Sequence, residues 1–172
     1  MSYKPVKVEI TPSMLERVRS KSDVVYEGSF MNGKGNTCGY LGKLLVESLR
    51  PDWNYSDCVD YDFLTMAGTR IAVKTKTQGV PSTPKMSYEA SVDIKSLHQK
   101  LDYYMFCRVY HDKSNDTYPF GWVVGGISRS NFMEWSRKLK KGDPDGSNGW
   151  KVAQDCRNIG YDQLLPIRRK DV

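Results

Sequence analysis

Residues 61–76 of the chain read YDFLTMAGTRIAVKTK, and this stretch has the pattern of a β-hairpin. Ala67 and Gly68 are placed to form the turn, since glycine accepts the positive φ angle that tight hairpin turns require. Apolar and polar residues alternate along the second arm, which is typical of a strand with one buried face. We therefore expect Ile71 and Val73 to face a core and the residues between them to face the other side of the sheet.

That other face carries residues suited to phosphate chemistry. Metal-dependent cleavage of a phosphodiester needs carboxylates that hold a divalent cation and a lysine that stabilises the phosphate. Asp62 on the first arm and Lys74 on the second fit two of these roles, but position 72, which shares the face of Lys74, is alanine. An exposed charged hairpin with no catalytic role is the alternative interpretation.

The composition indicates one folded domain with a preference for polyanions. Of the 172 residues, 39% are hydrophobic and 27% are charged, an ordinary mixture for a globular protein. Lysine and arginine exceed aspartate and glutamate by 26 to 20, which gives a formal net charge of +6. Such an excess favours nucleic acid as a partner.

The sequence also indicates the cellular compartment. No apolar run approaches the roughly 20 residues of a membrane-spanning helix, and the N-terminal residues MSYKPVKVEI lack the hydrophobic segment of a signal peptide. We therefore expect a cytoplasmic protein with no membrane contact. The four cysteines lie far apart without a CxxC pair, which argues against a zinc or redox site and predicts buried free thiols.

Outside the hairpin, the periodicity predicts an α/β domain in which helices flank a central mixed sheet. Thr11 is placed to cap a helix that begins at Pro12, and Ser130 to cap another over residues 131–140. The remaining predicted elements are a helix over residues 37–50, strands over 87–94, 101–111 and 119–127, and a short strand or helix around 161–167.

In order and spacing, these segments resemble the PD-(D/E)xK nuclease superfamily, in particular its small phage-type members. YDFL, the glycine turn and IAVKTK are similar to the core motif, and GKGNTCGYLGKLLVESL is similar to the glycine-rich loop and first helix that precede it. The stretches DYYMFCRVY, GWVVGGISRSNFMEW, KKGDPDGSNGW and NIGYDQLLPI fall where such proteins have later strands, a helix and a tail. The resemblance covers about residues 28–167. It implies a single domain with a restriction-endonuclease-like core, preceded by an N-terminal helical extension over residues 1–27.

The resemblance also implies roles for individual residues. Asp62 would be a metal ligand, position 72 the second acidic ligand and Lys74 the catalytic lysine, with Mg²⁺ as the cofactor and Mn²⁺ as the alternative metal. Asp60 competes with Asp62 for the first role, because both would point the same way from a strand. The residues that would contact DNA are Lys34, Asn36, Lys43, Lys76 and Gln78.

The chain departs from the family pattern at two positions. Ala72 stands where the second acid is expected, either because an engineered substitution removed a glutamate or because the chain is a naturally inactive relative. The intact motif around Ala72 favours the first explanation. Lys43 stands where phage-type members often have a helix glutamate that reaches the metal, and Glu47, one turn later on the same helical face, could serve instead.

Together these roles predict a magnesium-dependent DNA endonuclease of phage origin, acting in the host cytoplasm and impaired by Ala72. The alternative is a naturally inactive protein of the same fold that binds DNA or has a regulatory role. The oligomeric state stays open, since a homodimer would suit double-strand cutting and a monomer would suit nicking.

Overall fold

The computed structural model describes residues 3–22, 34–56, 58–146 and 149–170, without the side chains of residues 22 and 34–36. This part of the chain contains three α-helices, nine β-strands and two short 3-10 helices. The helices are α1 (Pro12–Ser22), α2 (Lys34–Leu49) and α3 (Arg129–Trp135), and the 3-10 helices cover Ile94–His98 and Tyr161–Gln163. The strands are β1 (Val6–Glu9), β2 (Asn54–Tyr55), β3 (Phe63–Leu64), β4 (Arg70–Gln78), β5 (Glu89–Asp93), β6 (Tyr103–Tyr110), β7 (Phe120–Ser128), β8 (Arg137–Leu139) and β9 (Cys156–Gly160).

The strands form two sheets. The larger sheet has six strands in the order β1-β7-β6-β4-β3-β2, and the smaller has three in the order β5-β9-β8. Strands β4 and β6 pair in parallel, whereas the other neighbours in the larger sheet are antiparallel. The expected mixed sheet with flanking helices is therefore confirmed. Among the described residues, no helix combines the length and the apolar character needed to cross a bilayer.

The hairpin that the sequence predicted is present as β3 and β4. Phe63 pairs with Ile71, and Gly68 in the turn has a φ of 81°. A residue with a Cβ is strained at that angle, which explains the glycine.

Alternate residues of β4 lie on opposite faces of the sheet, as predicted, and each face contributes to a core. Ile71 and Val73 pack in one apolar cluster with Leu41 and Leu45 of α2. Ala72 packs in a second cluster, which lies on the opposite face of the sheet and includes residues of α3 and the smaller sheet. Position 72, Lys74 and Lys76 therefore lie on the side of β4 that faces the smaller sheet, whereas α2 covers the other side.

The predicted helix over residues 131–140 is wrong in its extent. Helix α3 begins at Arg129, after the cap Ser128, whose hydroxyl accepts the N–H of Asn131 at 3.2 Å. The helix ends at Trp135, and residues 137–139 form β8, which pairs with β9. This pairing satisfies the backbone of β8, and it could not be recognised from a segment whose local apolar spacing suits a helix.

The N-terminal residues, expected to be a helical extension, also contain strand β1, which pairs with β7 at the edge of the larger sheet. Helix α1 begins at Pro12 as predicted, and the hydroxyl of Thr11 accepts the N–H of Met14 at 3.2 Å. The predicted strands over residues 87–94, 101–111 and 119–127 correspond to β5, β6 and β7. The last strand, β9, lies before the segment at 161–167, where a short strand or helix was predicted and which begins with a 3-10 helix.

Candidate functional site

Asp62, the residue directly before β3, is fixed beside β4 by hydrogen bonds with backbone groups. Its N–H donates to the carbonyl of Ile71 at 2.8 Å, which continues the antiparallel ladder by one residue. Its carboxylate Oδ2 accepts the N–H of Val73 at 2.7 Å. The carboxylate is therefore held beside the segment of β4 that carries positions 72 and 74.

The second carboxylate oxygen of Asp62 binds a lysine. Nζ of Lys43 lies 2.8 Å from Oδ1 of Asp62, and the two side chains are only 25% and 14% exposed. The same ammonium lies 5.0 Å from the centre of the Tyr40 ring, within the range of a cation–π interaction. Lys43, which departs from the family pattern, therefore contacts the residue that was predicted to bind metal.

Ala72 contributes a methyl group to the core. It is 2% exposed and belongs to the cluster that contains Tyr104 and Phe106. An alanine side chain has no atom that coordinates a metal. Position 72 therefore does not supply a second carboxylate beside that of Asp62. A group of three or more histidine, cysteine or acidic side chains suited to a metal ion is absent from the described residues.

These residues do not fit a magnesium ion. Magnesium requires a near-octahedral set of oxygen ligands, supplied in proteins by one or two carboxylates together with water and substrate phosphates. Here the single carboxylate of Asp62 has both oxygens engaged, one by a backbone N–H and the other by an ammonium group. The predicted cofactor is therefore not supported by the residues present.

Lys74 follows Ala72 on the same face of β4. Its Nζ donates to Oε1 of Gln99 at 3.1 Å. Burial lowers the pKa of the Lys74 ammonium, while the negative charges of Asp62 and Asp93 oppose that shift. The lysine therefore lies within electrostatic reach of the Asp62 carboxylate, as the predicted site required.

Lys76 lies further along the same face and borders a cavity. Its Nζ donates to the carbonyl of Glu89 at 3.2 Å and lies 3.3 Å from Oδ2 of Asp145. Burial also lowers the pKa of this ammonium. The cavity, of about 340 Å³, lies between β4 and the smaller sheet, and Lys74, Lys76, Phe106 and Asp145 are among its lining residues.

The other predicted residues are separate from this group or lie outside the described side chains. Gln78 is buried, and its amide donates to the carbonyls of Val80 and Ser82, both at 2.7 Å. These bonds give Gln78 a structural role in the loop after β4. The side chains of Lys34 and Asn36 lie outside the described part of the chain.

The two alternative acids, Asp60 and Glu47, have different surroundings from Asp62. Asp62 accepts the N–H of Val73 in β4, and Asp60 does not. The negative charge of Asp60 instead helps to raise the pKa of Arg70. The carboxylate of Glu47 accepts two hydrogen bonds from Arg17, at 2.6 and 3.3 Å. Glu47 thus joins α2 to α1, although it lies one turn after Lys43 on the same helix.

Two residues near Lys74 were not singled out from the sequence. Gln99 follows the 3-10 helix, and its side-chain oxygen accepts a hydrogen bond from the Lys74 ammonium. Asp93 precedes that helix, and its carboxylate accepts the N–H and the hydroxyl of Ser96 at 2.9 and 2.6 Å. An aspartate directly before a helix is a capping signal. The sequence around Asp93 and Gln99 nevertheless does not indicate that either residue lies near β4.

The site therefore combines the carboxylate of Asp62, directly before β3, with lysines from α2 and β4. Comparisons with known proteins do not assign it to a family. No protein-family model matches the chain, and no curated protein is significantly similar to it.

Proposed function

We propose that this chain is a DNA-binding protein with a restriction-endonuclease-like core of the PD-(D/E)xK type. On this proposal the core is that of a magnesium-dependent endonuclease, and cleavage is impaired in this chain because Ala72 leaves Asp62 without the second carboxylate that the metal needs. The observation that carries the proposal is the hydrogen bond from the Val73 N–H to Asp62, at 2.7 Å. It sets a carboxylate beside position 72 and near Lys74, which is the arrangement that the family motif requires.

Charge supports DNA as the partner. The chain has a formal net charge of +6, and the site presents the lysines of α2 and β4. A further basic group, Arg168, Arg169 and Lys170, is exposed near the C-terminus. Lysines and arginines bind the phosphate backbone and release counterions from it, which favours association at moderate salt concentration.

A second candidate function, a naturally non-catalytic DNA-binding protein of the same fold, is favoured by the ion pair between Lys43 and Asp62. Of the two departures from the family pattern, Lys43 contacts the Asp62 carboxylate and Ala72 precedes Val73, whose N–H the same carboxylate accepts. A single engineered substitution at position 72 would leave the lysine at position 43 unexplained. Natural loss of the metal site accounts for both residues.

Restoring the acid tests the enzymatic proposal. Ala72→Glu should gain nicking activity on plasmid DNA with Mg²⁺ or Mn²⁺, because it places a second carboxylate beside Asp62. Ala72→Gln is the matched control, since it has the same shape without the charge. Absence of cleavage of supercoiled, linear, branched and single-stranded DNA by the folded Ala72→Glu variant, at Mg²⁺ concentrations high enough to fill a weak site, would reject the endonuclease and leave the non-catalytic candidate.

The DNA-binding part of the proposal has its own test. Fluorescence anisotropy with a labelled duplex should show an affinity that falls steeply as salt rises, because each phosphate contact releases counterions. A chain that does not bind DNA at low salt, or that binds with an affinity independent of salt, would instead indicate a protein-interaction module.

A further inference from the structure

We propose that Lys43 is the resident cation of this site, and that its ammonium takes the place beside Asp62 that a divalent metal would need. On this proposal the site contacts a phosphodiester without any metal. The second part rests on the proposed DNA-binding function, whereas the first part concerns only Lys43 and Asp62.

The contacts of Asp62 explain why a metal would be excluded. One carboxylate oxygen accepts the backbone N–H of Val73 at 2.7 Å and the other lies 2.8 Å from the Lys43 ammonium. A divalent ion that approached Asp62 would have to displace the ammonium or bind beside it. Two cations in contact with one carboxylate repel each other strongly in a partly buried site.

Lys43 is held in this position by the packing of α2. At the preceding residue, Gly42, an added Cβ would lie 2.9 Å from Cβ of Thr75, so the helix lies directly against β4. The Lys43 ammonium also lies over the ring of Tyr40. A lysine with a carboxylate on one side and an aromatic ring on the other has few conformations available, so little entropy is lost when it binds an anion.

The charges around this position suit an anion better than a cation. The negative charge of Asp62 is balanced by Lys43, and Lys74 adds a second ammonium within electrostatic reach. Asp93, which also faces Lys74, is engaged by Ser96. The Lys43 side chain remains 25% exposed, so a phosphate oxygen can approach it from solvent.

Magnesium binding tests the first part of the proposal in the absence of DNA. Calorimetric titration should show weak Mg²⁺ binding by Ala72→Glu, because Lys43 still competes for Asp62. The double variant Ala72→Glu/Lys43→Met should bind Mg²⁺ roughly tenfold more tightly, as expected for loss of a charge-assisted contact. Equal Mg²⁺ affinities of the two variants, with circular dichroism showing that both are folded, would overturn the proposal.

DNA binding tests the second part. The affinity of the unmodified chain for a duplex should be no higher in Mg²⁺ than in EDTA, because the cation at the site belongs to the protein and free Mg²⁺ only competes for the phosphates as a counterion. Lys43→Met should weaken binding roughly tenfold under both conditions, and Lys43→Arg should retain most of the affinity. Lys113→Met is the matched control, because it removes an exposed lysine from the turn between β6 and β7, beyond the far end of β4.

The two proposals can fail separately. Affinity for DNA that is lost in EDTA would overturn metal-independent contact. Equal loss of affinity in Lys43→Met and Lys113→Met would also overturn it, because Lys43 would then contribute only general charge. Absence of DNA binding under all conditions would reject the proposed function, while the Mg²⁺ titration would still decide whether Lys43 occupies the cation position.

Discussion

At the scale of single residues, Asp62 is positioned by backbone groups of β4, and its negative charge is balanced by a lysine of α2. The N–H of Val73 and the ammonium of Lys43 bind different oxygens of the same carboxylate. This arrangement orients the carboxylate without a second acid. It explains how an aspartate is accommodated beside β4 where position 72 has no acidic side chain.

Asp62→Asn should measure the contribution of this ion pair to folding. The amide oxygen can still accept the Val73 N–H, but the Lys43 ammonium loses its counter-charge in a partly buried position. We expect the free energy of unfolding to fall by about 1–3 kcal/mol, measured by urea denaturation. Glu9→Gln, which removes the charge from the exposed pair of Lys7 and Glu9, should have a smaller effect, and equal effects would contradict the importance of the Asp62 site.

The four cysteines should differ sharply in reactivity. Cys58 is exposed, whereas Cys38, Cys107 and Cys156 are buried. Burial raises the pKa of Cys38 to about 12, and raises the pKa of Cys107 and of Cys156 as well. Because the thiolate is the reactive form and a raised pKa keeps the thiol protonated, alkylation at mildly alkaline pH should modify Cys58 first.

Mass spectrometry after timed alkylation checks this expectation. The folded chain should gain one label quickly, and the other three cysteines should react only after urea unfolding. Modification of Cys38 or Cys107 at the rate of Cys58 would show that the core around α2 and β6 opens readily.

At the scale of elements, α2 shows how a helix is brought close to a sheet. An added Cβ at Gly42 would overlap the hydroxyl of Thr75 and lie 2.9 Å from its Cβ, whereas an added Cβ at Gly39 has no atom within 4 Å. The two glycines lie three residues apart in the same helix. Substitutions at these two glycines therefore distinguish the effect of close packing from the effect of helix propensity.

Alanine substitutions at these glycines should have opposite effects. Gly42→Ala should lower the free energy of unfolding by about 1–3 kcal/mol, because the methyl group collides with β4. Gly39→Ala should raise it by about 0.5–1 kcal/mol, because alanine favours the helix and loses less backbone entropy. Thermal and urea denaturation of both variants tests the two predictions. A Gly42→Ala variant more stable than the unmodified chain would contradict the close approach of α2 to β4.

Elements also show where local patterns fail. The hairpin was predictable because the alternation of β4 and the glycine turn are local signals, and the structure reproduces both. The strand at residues 137–139 was not predictable, because it depends on pairing with β9, which lies many residues later in the chain. Arg137 is held in this strand by a bidentate pair with Glu89, with distances of 3.1 and 2.8 Å, which sequence spacing does not reveal.

At the scale of the whole molecule, β1 closes one edge of the larger sheet and ties the N-terminus to the fold. Val8 and Ile10 are buried in the same core as α2 and β4. The residues before α1 are thus part of the domain that carries the site. A covered edge also protects the backbone of β7 from pairing with other chains.

Neighbouring residues of β1 offer a matched test of this packing. Val8→Ser should lower the free energy of unfolding by about 2–3 kcal/mol, because it removes apolar side-chain volume from the core and adds a hydroxyl. Lys7→Ser, on the exposed face, should change it by less than about 1 kcal/mol. Chemical denaturation measures both, and equal effects would indicate that β1 contributes little to the larger sheet.

The sequence by itself determined the secondary structure of the hairpin, the first helix and the long strands, because alternation, capping and turn signals act between neighbouring residues. It also placed position 72 and Lys74 on one face of β4, since residues two apart on a strand share a face. Only the tertiary structure decided that Lys43 binds Asp62, that Glu47 binds Arg17 and that Gln78 supports a loop. The physical reason is that an ion pair depends on how a helix packs against a sheet, and packing brings together residues whose separation along the chain carries no signal.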